Sequence, residues 1–310
     1  MCKTQKATRA IISLAIGWLV AVGFTTSDAH GEGASFTAKP SEAVMKKHLN
    51  WMAKAPDQVL LSALSLPGTH DTCALHNGPS FGFAQCQTWR LEDQLKAGVR
   101  FLDIRCRHID NAFQIHHGVI DQRITFVEVR DICRKFLKEH PSECIVMSVK
   151  EESTAKNNTR SFAKTFVELT KNDGDLWRIN RKTPTLGDAR KRIVLIDRTG
   201  ALGGLPWNRI ERQDQYTAPL DRKRKLVRKH FEQAIGGDKE RWFANFCSGV
   251  LPSSLVTPRR YAMQSNEAAL QFLLRKERGQ PMRLGIVVMD FPGEKLLERI
   301  VATNFERDGK

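Results

Sequence analysis

The sequence predicts an α/β protein folded as a single (β/α)₈ barrel, and three observations carry that reading. Apolar runs of strand length alternate with helical periodicity from Val59 to Phe305. Such alternation implies parallel pairing in a barrel or a doubly wound sheet. No repeat, linker or low-complexity segment divides the chain. Finally, His70, Asp103, Arg105, His117, Lys150, Arg198, Asp214 and Asp290 all fall at or just past the C-terminal ends of strand-like runs. A barrel brings those ends to one face, where active sites are built. A doubly wound sheet gathers them only at its switch point, so the barrel explains more residues.

The elements follow in order. Ser41 is an N-cap for a helical pattern to Lys54, with Val44, Met45, Leu49 and Met52 apolar. The apolar run 59–66 reads as a buried strand. Pro67-Gly68 should stop it with a turn, leaving His70 and Asp71 at the strand's mouth. A loop rich in Gly, Pro and Phe follows, Asn77-Gly-Pro-Ser-Phe-Gly-Phe83, then a short helix over 91–96. Strands are expected over 99–105 and 113–117. Thr125 and Glu128 have capping-box spacing. They open a helix whose apolar residues Val129, Ile132, Cys133, Phe136 and Leu137 recur at three and four, and Pro141 ends it.

The remaining strands are expected over 144–150, 192–198, a short segment before Asp214, 242–247 and 284–290. The remaining helices are expected over 161–169, 221–234, 265–278 and 293–305. Gly236-Gly237 and Gly279 stop two of them.

The amino terminus has a different character. Lys3, Lys6 and Arg9 precede an apolar run over 10–24, and Ser27-Asp28-Ala29 supplies small residues at cleavage spacing. This is the pattern of a secretory signal peptide over residues 1–29, and the apolar run is short for a membrane span. The expected mature chain, 30–310, is a secreted, extracellular monomer. The 310 residues carry a net charge of +15, and loss of three basic groups and Asp28 leaves +13. That excess favours acidic partners such as anionic lipid or nucleic acid.

Six cysteines remain after the leader, with no zinc-site spacing. Cys133 and Cys144 read as buried thiols, whereas Cys73 and Cys86, in one loop segment, are the best disulfide pair. Asn157-Asn158-Thr159 is a glycosylation sequon, meaningful only in a host that glycosylates.

Two histidines, several carboxylates and three cations on one rim suit attack on a phosphodiester. Histidine titrates near neutrality, so one ring can accept a proton while another donates one. A carboxylate beside each ring fixes its tautomer, and arginine meets phosphate oxygens in bidentate fashion. No GxSxG, Walker loop or HExxH is present. No tight acidic cluster suggests a hard-metal site, and Arg105 beside Asp103 would repel a divalent cation, so no metal and no cofactor are expected. Taken singly, each residue has an ordinary structural reading. Asp103 and Arg105 share a strand face and suit a salt bridge, Lys150 a solvated strand end. His30, His48, His76, His108, His140 and His230 read as ordinary, and His116, alternating with His117, should point away from the site.

The motifs Leu66-Pro-Gly-Thr-His-Asp-Thr72, Gly98-Val-Arg-Phe-Leu-Asp-Ile-Arg105, His116-His-Gly118 and the segment 136–150 carry a resemblance. With Leu186-Gly-Asp-Ala-Arg190, Arg198, Gln213-Asp-Gln-Tyr216 and Val288-Met-Asp290, they resemble the X-domain of bacterial phosphatidylinositol-specific phospholipase C. The resemblance covers most of residues 56–292. It implies a distorted TIM barrel and metal-free cleavage of phosphatidylinositol to diacylglycerol and inositol 1,2-cyclic phosphate; the sequence leaves open whether GPI anchors are cleaved as well.

By matching position, His70 would be the general base, held by Asp290, and His117 the general acid, backed by Asp71. Arg105 would bind the phosphate with Asp103 beside it. Lys150, Arg198 and Asp214 would hold inositol hydroxyls, and Tyr216 would lie against the ring. Calcium-dependent relatives carry a carboxylate where Arg105 stands. The loop 78–86 lacks the tryptophan often inserted into membrane, which leaves Phe81 and Phe83 as substitutes. Val250, Leu251 and Leu255 are expected to join them in contacting the bilayer.

Three rival readings start from the same residues. A cyclising ribonuclease would use a 2′-hydroxyl, but aromatic residues at 8% are not interleaved with a basic stripe as a stacking platform needs. The run Arg222-Lys-Arg-Lys225 reads as a solvated helix start, so no nucleic-acid partner is expected. A non-catalytic lipid-binding barrel would not need His70, His117, Arg105 and Asp290 together. A metal-dependent glycerophosphodiesterase would need a carboxylate cluster that the sequence does not offer.

Overall fold

Helix α1 (Glu42–His48) starts where Ser41 Oγ accepts from Val44 N–H, so the expected cap holds, and a separate 3₁₀ turn follows over Trp51–Lys54. The computed structural model describes residues 37–276 and 281–305. The leader proposed for residues 1–29, and the expected helix end at Gly279, lie outside them.

The first strand departs from expectation. Residues 59–66 contain a 3₁₀ turn, Leu61–Ala63, and β1 is Leu66–Thr69, with Pro67 and Gly68 inside it. Pro67 still accepts through its carbonyl from Arg100 N–H at 2.9 Å, which is all this ladder position asks of it. Gly68 is required by close approach, because a Cβ there would sit 2.7 Å from Phe101 Cδ1.

Next come α2 (Leu91–Lys96), β2 (Phe101–Ile109), β3 (Ala112–His117) and β4 (Ile120–Thr125). Pairs β2–β3 and β3–β4 are antiparallel, so this stretch is a meander rather than a strand–helix repeat. The mixed pattern of β4 (Ile-Asp-Gln-Arg-Ile-Thr) hid it as a strand. Helix α3 (Phe126–Glu139) carries the complete Thr125/Glu128 capping box, as its spacing foretold.

The chain continues with β5 (Ile145–Glu151), α4 (Phe162–Thr170), β6 (Trp177–Arg178), α5 (Leu186–Ala189), β7 (Ile193–Asp197), β8 (Leu205–Pro206) and β9 (Ile210–Gln213). It ends with α6 (Leu220–Gly236), β10 (Trp242–Phe246), α7 (Pro258–Arg275), β11 (Ile286–Met289) and α8 (Glu294–Ala302). Helix α7 begins earlier than its apolar period suggested, at Pro258, because Thr257 caps it.

The ladder order is β6-β7-β5-β2-β1-β11-β10-β9, parallel at every step, with the β3–β4 hairpin and β8 branching from it. Eight parallel strands therefore curl as a barrel. Among the described residues no ladder joins β9 to β6 or β8, which makes the barrel distorted and open. β-Strand interiors are fully buried and, apart from Ser148, apolar: Ile145 to Val149 and Ile193 to Ile196 show no exposed surface. All six cysteines among the described residues are buried free thiols, so the Cys73–Cys86 disulfide is not formed. No described helix is long and apolar enough to cross a membrane.

Candidate active site

The strand ends deliver the polar residues to one place. The backbone N–H of His70 extends the β1 ladder by donating to Met289 O at 2.9 Å. Asp71 then turns left-handed at φ +43°, a conformation that favours glycine and is often found at functional sites. His70 Nδ1 lies 2.8 Å from Asp290 Oδ1, and His117 Nδ1 lies 2.8 Å from Asp71 Oδ2. Arg105 joins the two pairs. Its Nη2 is 2.7 Å from His70 Nε2 and 3.0 Å from Asp103 Oδ2, and its Nη1 is 3.5 Å from Asp71 Oδ2.

A guanidinium only donates. His70 Nε2 must therefore accept, which puts the ring proton on Nδ1, where it is donated to Asp290. The tautomer leaves a basic lone pair at Nε2, beside a fixed cation.

Register explains the cationic rim. In the β2–β5 ladder Asp103 stands opposite Ser148, and Arg105 opposite Lys150. Ser148 Oγ donates to Asp103 Oδ1 at 3.0 Å, Arg198 Nη1 meets the same oxygen at 2.8 Å, and Asp71 N–H donates to Oδ2 at 3.2 Å. Asp103 is thus the anchor on which both arginines are set. Burial would raise its carboxyl, but Arg105 and Arg198 outweigh that and hold it well below the usual carboxylate range. For Arg105, burial opposes the charge, and Asp103 and Asp71 more than restore it, so its pKa is raised. His117 behaves alike: burial disfavours the charged ring, contact with Asp71 favours it, and the net shift is upward.

Around this centre the other expected residues fall as follows. Lys150 Nζ lies 2.5 Å from Glu152 Oε2, and Glu152 Oε1 also accepts from Gly118 N–H at 3.1 Å, tying the lysine to the His117 turn. Arg198 stacks over Trp207 at 4.3 Å. Tyr216 lies with its ring 5.3 Å from that of His70. Burial pushes its phenol far up, so it stays neutral. Asp214 is exposed in the same loop, after β9. His116 is buried, and only His117 meets Asp71.

Sequence reasoning missed Ser148, Glu152 and Trp207. The first two were visible as polar residues in or just after the apolar 144–150 run. It also missed Cys86, whose Sγ is 3.6 Å from His117 Nδ1, because nothing in its spacing points there.

On the rim, Phe81 is 91% exposed and Leu255 71% exposed, as a membrane contact requires. Phe83 and Leu251 are half-buried. Val250 is a correction: it is only 6% exposed, because its N–H is tied to Tyr216 O at 2.9 Å and the side chain packs inward. Val119, in the turn after His117, is 77% exposed and was not foreseen.

A parallel barrel whose strand ends hold two His–Asp pairs about one arginine defines the class, an α/β-barrel enzyme. Residues 64–199 match the family model described as phosphatidylinositol-specific phospholipase C, X domain. A 1-phosphatidylinositol phosphodiesterase of Listeria monocytogenes is 32% identical over 275 residues, 82% of this chain and 84% of the relative. One of Staphylococcus aureus is 26% identical over 291 residues, 83% and 92% of the two chains. The solved phosphatidylinositol-specific phospholipase C from Listeria monocytogenes superposes with a TM-score of 0.73 at 32% identity, covering 83% of this chain and 98% of that one. A Staphylococcus aureus structure gives a TM-score of 0.75 at 25% identity, covering 84% and 99%. The chain belongs to the phosphatidylinositol-specific phospholipase C family.

Proposed function

We propose that this protein cleaves phosphatidylinositol to diacylglycerol and inositol 1,2-cyclic phosphate, with GPI anchors as a second substrate class. The observation that carries the mechanism is the Arg105 guanidinium set between two His–Asp pairs. His70 Nε2 takes the proton of the inositol 2-hydroxyl, and the resulting imidazolium is stabilised by Asp290. The alkoxide oxygen attacks its own phosphorus, closing the five-membered ring. His117, held charged by Asp71, gives its proton to the departing diacylglycerol oxygen. Arg105 stands beside both rings and stabilises charge on the phosphate oxygens as the phosphorane forms.

Lys150, Arg198 and Asp214 supply donors and an acceptor for inositol hydroxyls, and Tyr216 offers an apolar face to the ring. A fixed monovalent cation at Arg105 takes the place that a divalent ion fills in calcium-dependent enzymes, so the reaction needs no metal. The chain acts as a monomer on membranes and binds no nucleic acid.

Incubation with phosphatidylinositol vesicles in EDTA, followed by ³¹P NMR, tests this reading. Cyclic phosphate should form. His70→Ala and His117→Ala should each lower turnover at least ~10²-fold, the ordinary worth of acid–base catalysis. Strict calcium dependence, or near-normal turnover of His70→Ala, would overturn it.

The secretory reading rests on the basic, apolar and small-residue segments of 1–29 in order. Mass spectrometry of the natively produced protein should give a mature chain beginning near His30, and an intact leader would overturn export by cleavage.

A further inference from the structure

Cys86 has no part in the proposed chemistry, yet it sits between its two halves. Its backbone N–H donates to Ala74 O at 2.9 Å, and its carbonyl accepts from Phe291 N–H at 2.9 Å. The residue is thereby clamped between the segment after Asp71 and the segment after Asp290. The thiol is fully buried. It lies 3.6 Å from His117 Nδ1 and within 4.8 Å of an Asp290 carboxylate oxygen.

Two overlapping donor sets share this sulfur. Ligand atoms of Asp71, Cys86 and His117 all lie within 4.8 Å of one another, and so do those of His70, Cys86 and Asp290. Zinc takes thiolate, imidazole and carboxylate together, at about 2.0–2.3 Å and in a tetrahedron, which puts donor atoms about 3.3–3.8 Å apart. Closing from 4.8 Å to that spacing is within the reach of side-chain rotation. The Asp71 set is the more accessible one, because His117 is partly exposed whereas His70, Cys86 and Asp290 are all buried. Asp71 Oδ1 is moreover buried with no hydrogen-bond partner, a desolvation cost that a cation would relieve.

We propose that Cys86, His117 and Asp71 form a binding site for a thiophilic divalent cation such as zinc, and that filling it switches the enzyme off. On binding, the Cys86 thiol loses its proton to solvent as the S–Zn bond forms, and a charged His117 likewise loses its Nδ1 proton. The imidazole is then held by the metal and no longer cycles as an acid near neutrality. Arg105 opposes any cation here. Asp71, Asp103 and Asp290 together with the new thiolate outnumber it. Calcium and magnesium prefer an all-oxygen shell and gain nothing from the sulfur. The inhibition rests on His117 being the general acid; the binding does not.

Cobalt(II) added to the whole protein should give a near-ultraviolet thiolate-to-cobalt band that saturates at one ion per chain. Cys86→Ser should abolish the band, and His117→Ala should weaken binding at least about tenfold, as loss of a ligand or its support does. In the vesicle assay, zinc should inhibit, EDTA should restore the rate, and calcium should do neither. Measured against its own zinc-free rate, Cys86→Ser should need at least about tenfold more zinc. Cys86→Ala serves if the serine variant fails to fold. No thiolate band, or the same zinc midpoint in wild type and Cys86→Ser, would overturn the site. If the chain proves inactive on phosphatidylinositol, the cobalt titration still decides the binding.

Discussion

Asp71 stands at the junction of the site: its backbone turns left-handed, its N–H donates to Asp103 and its carboxylate faces His117. The expected kinetic signature follows from the upward shift of His117. The proposed mechanism needs the acid form, so kcat/KM should fall as pH rises through a value above that of an ordinary histidine. Asp71→Asn removes the favourable charge, so this alkaline limb should move to lower pH, and a pH–rate profile reads it directly. Lys223 offers a second residue-scale prediction. It is fully buried, donates to Gln215 O at 3.2 Å beneath the Asp214–Tyr216 loop, and burial lowers its pKa from 10.5 to about 8. Below pH 8 the folded state carries this charge at a cost of about 3 kcal/mol. Between about 8 and 10.5 the unfolded chain holds the extra proton, so this group makes stability rise with pH. Lys223→Met should therefore be more stable than wild type at pH 7 in urea denaturation, with the advantage shrinking toward pH 10.

Three loops form the apolar part of the rim at the scale of elements. Asn77 Oδ1 accepts from Ser80 Oγ at 2.6 Å and from Gly82 N–H at 2.9 Å, and Ser80 Oγ accepts from Ala84 N–H at 2.8 Å. That internal network presents Phe81 outward instead of letting it fold into the core. A Cβ on Gly82 would meet Thr257, and one on Gly78 would meet Ile120. This loop therefore lies against both the Leu255 loop and the turn carrying Val119. Burying a large apolar side chain is worth about 1.5–3 kcal/mol. The double change Phe81→Ser with Leu255→Ser should cut vesicle affinity at least about tenfold, and the loss should persist at ~1 M salt. The net charge of +13 expected for the mature chain adds an attraction to anionic lipid that such salt removes. An unchanged affinity in sedimentation would place the membrane contact elsewhere.

For the whole molecule the open seam is the distinctive feature. β9 ends the ladder on one side and β6 on the other, while β1 and β2 are paired on both edges. Strand ends without a partner open locally at lower cost. Amide exchange should therefore be faster in β9 than in β1 and β2, with Gln213 held by its own bonds to Asn245 and Phe246 O. Equal protection around the barrel would mean that the seam is closed in solution.

Local pattern alone was enough for the α/β class, the Thr125/Glu128 cap and the extents of α2 and β3, since each depends on neighbours within a turn or two. The site residues were also legible, because a polar residue ending an apolar strand in an α/β chain has few places to go. The family resemblance implied roles for His70, His117, Arg105 and Asp290, and the structure brings these four together. What the sequence left undetermined depends on distant partners. Pro67 lies within a strand because its neighbours ask only for its carbonyl. β4 exists because β3 supplies its hydrogen bonds. Val250 is buried because Tyr216 holds its backbone. Cys86 reaches His117 instead of Cys73 because Ala74 and Phe291 fix its position. Side-chain burial and thiol placement are set by contacts between residues far apart in the chain, and only the folded structure brings those residues together.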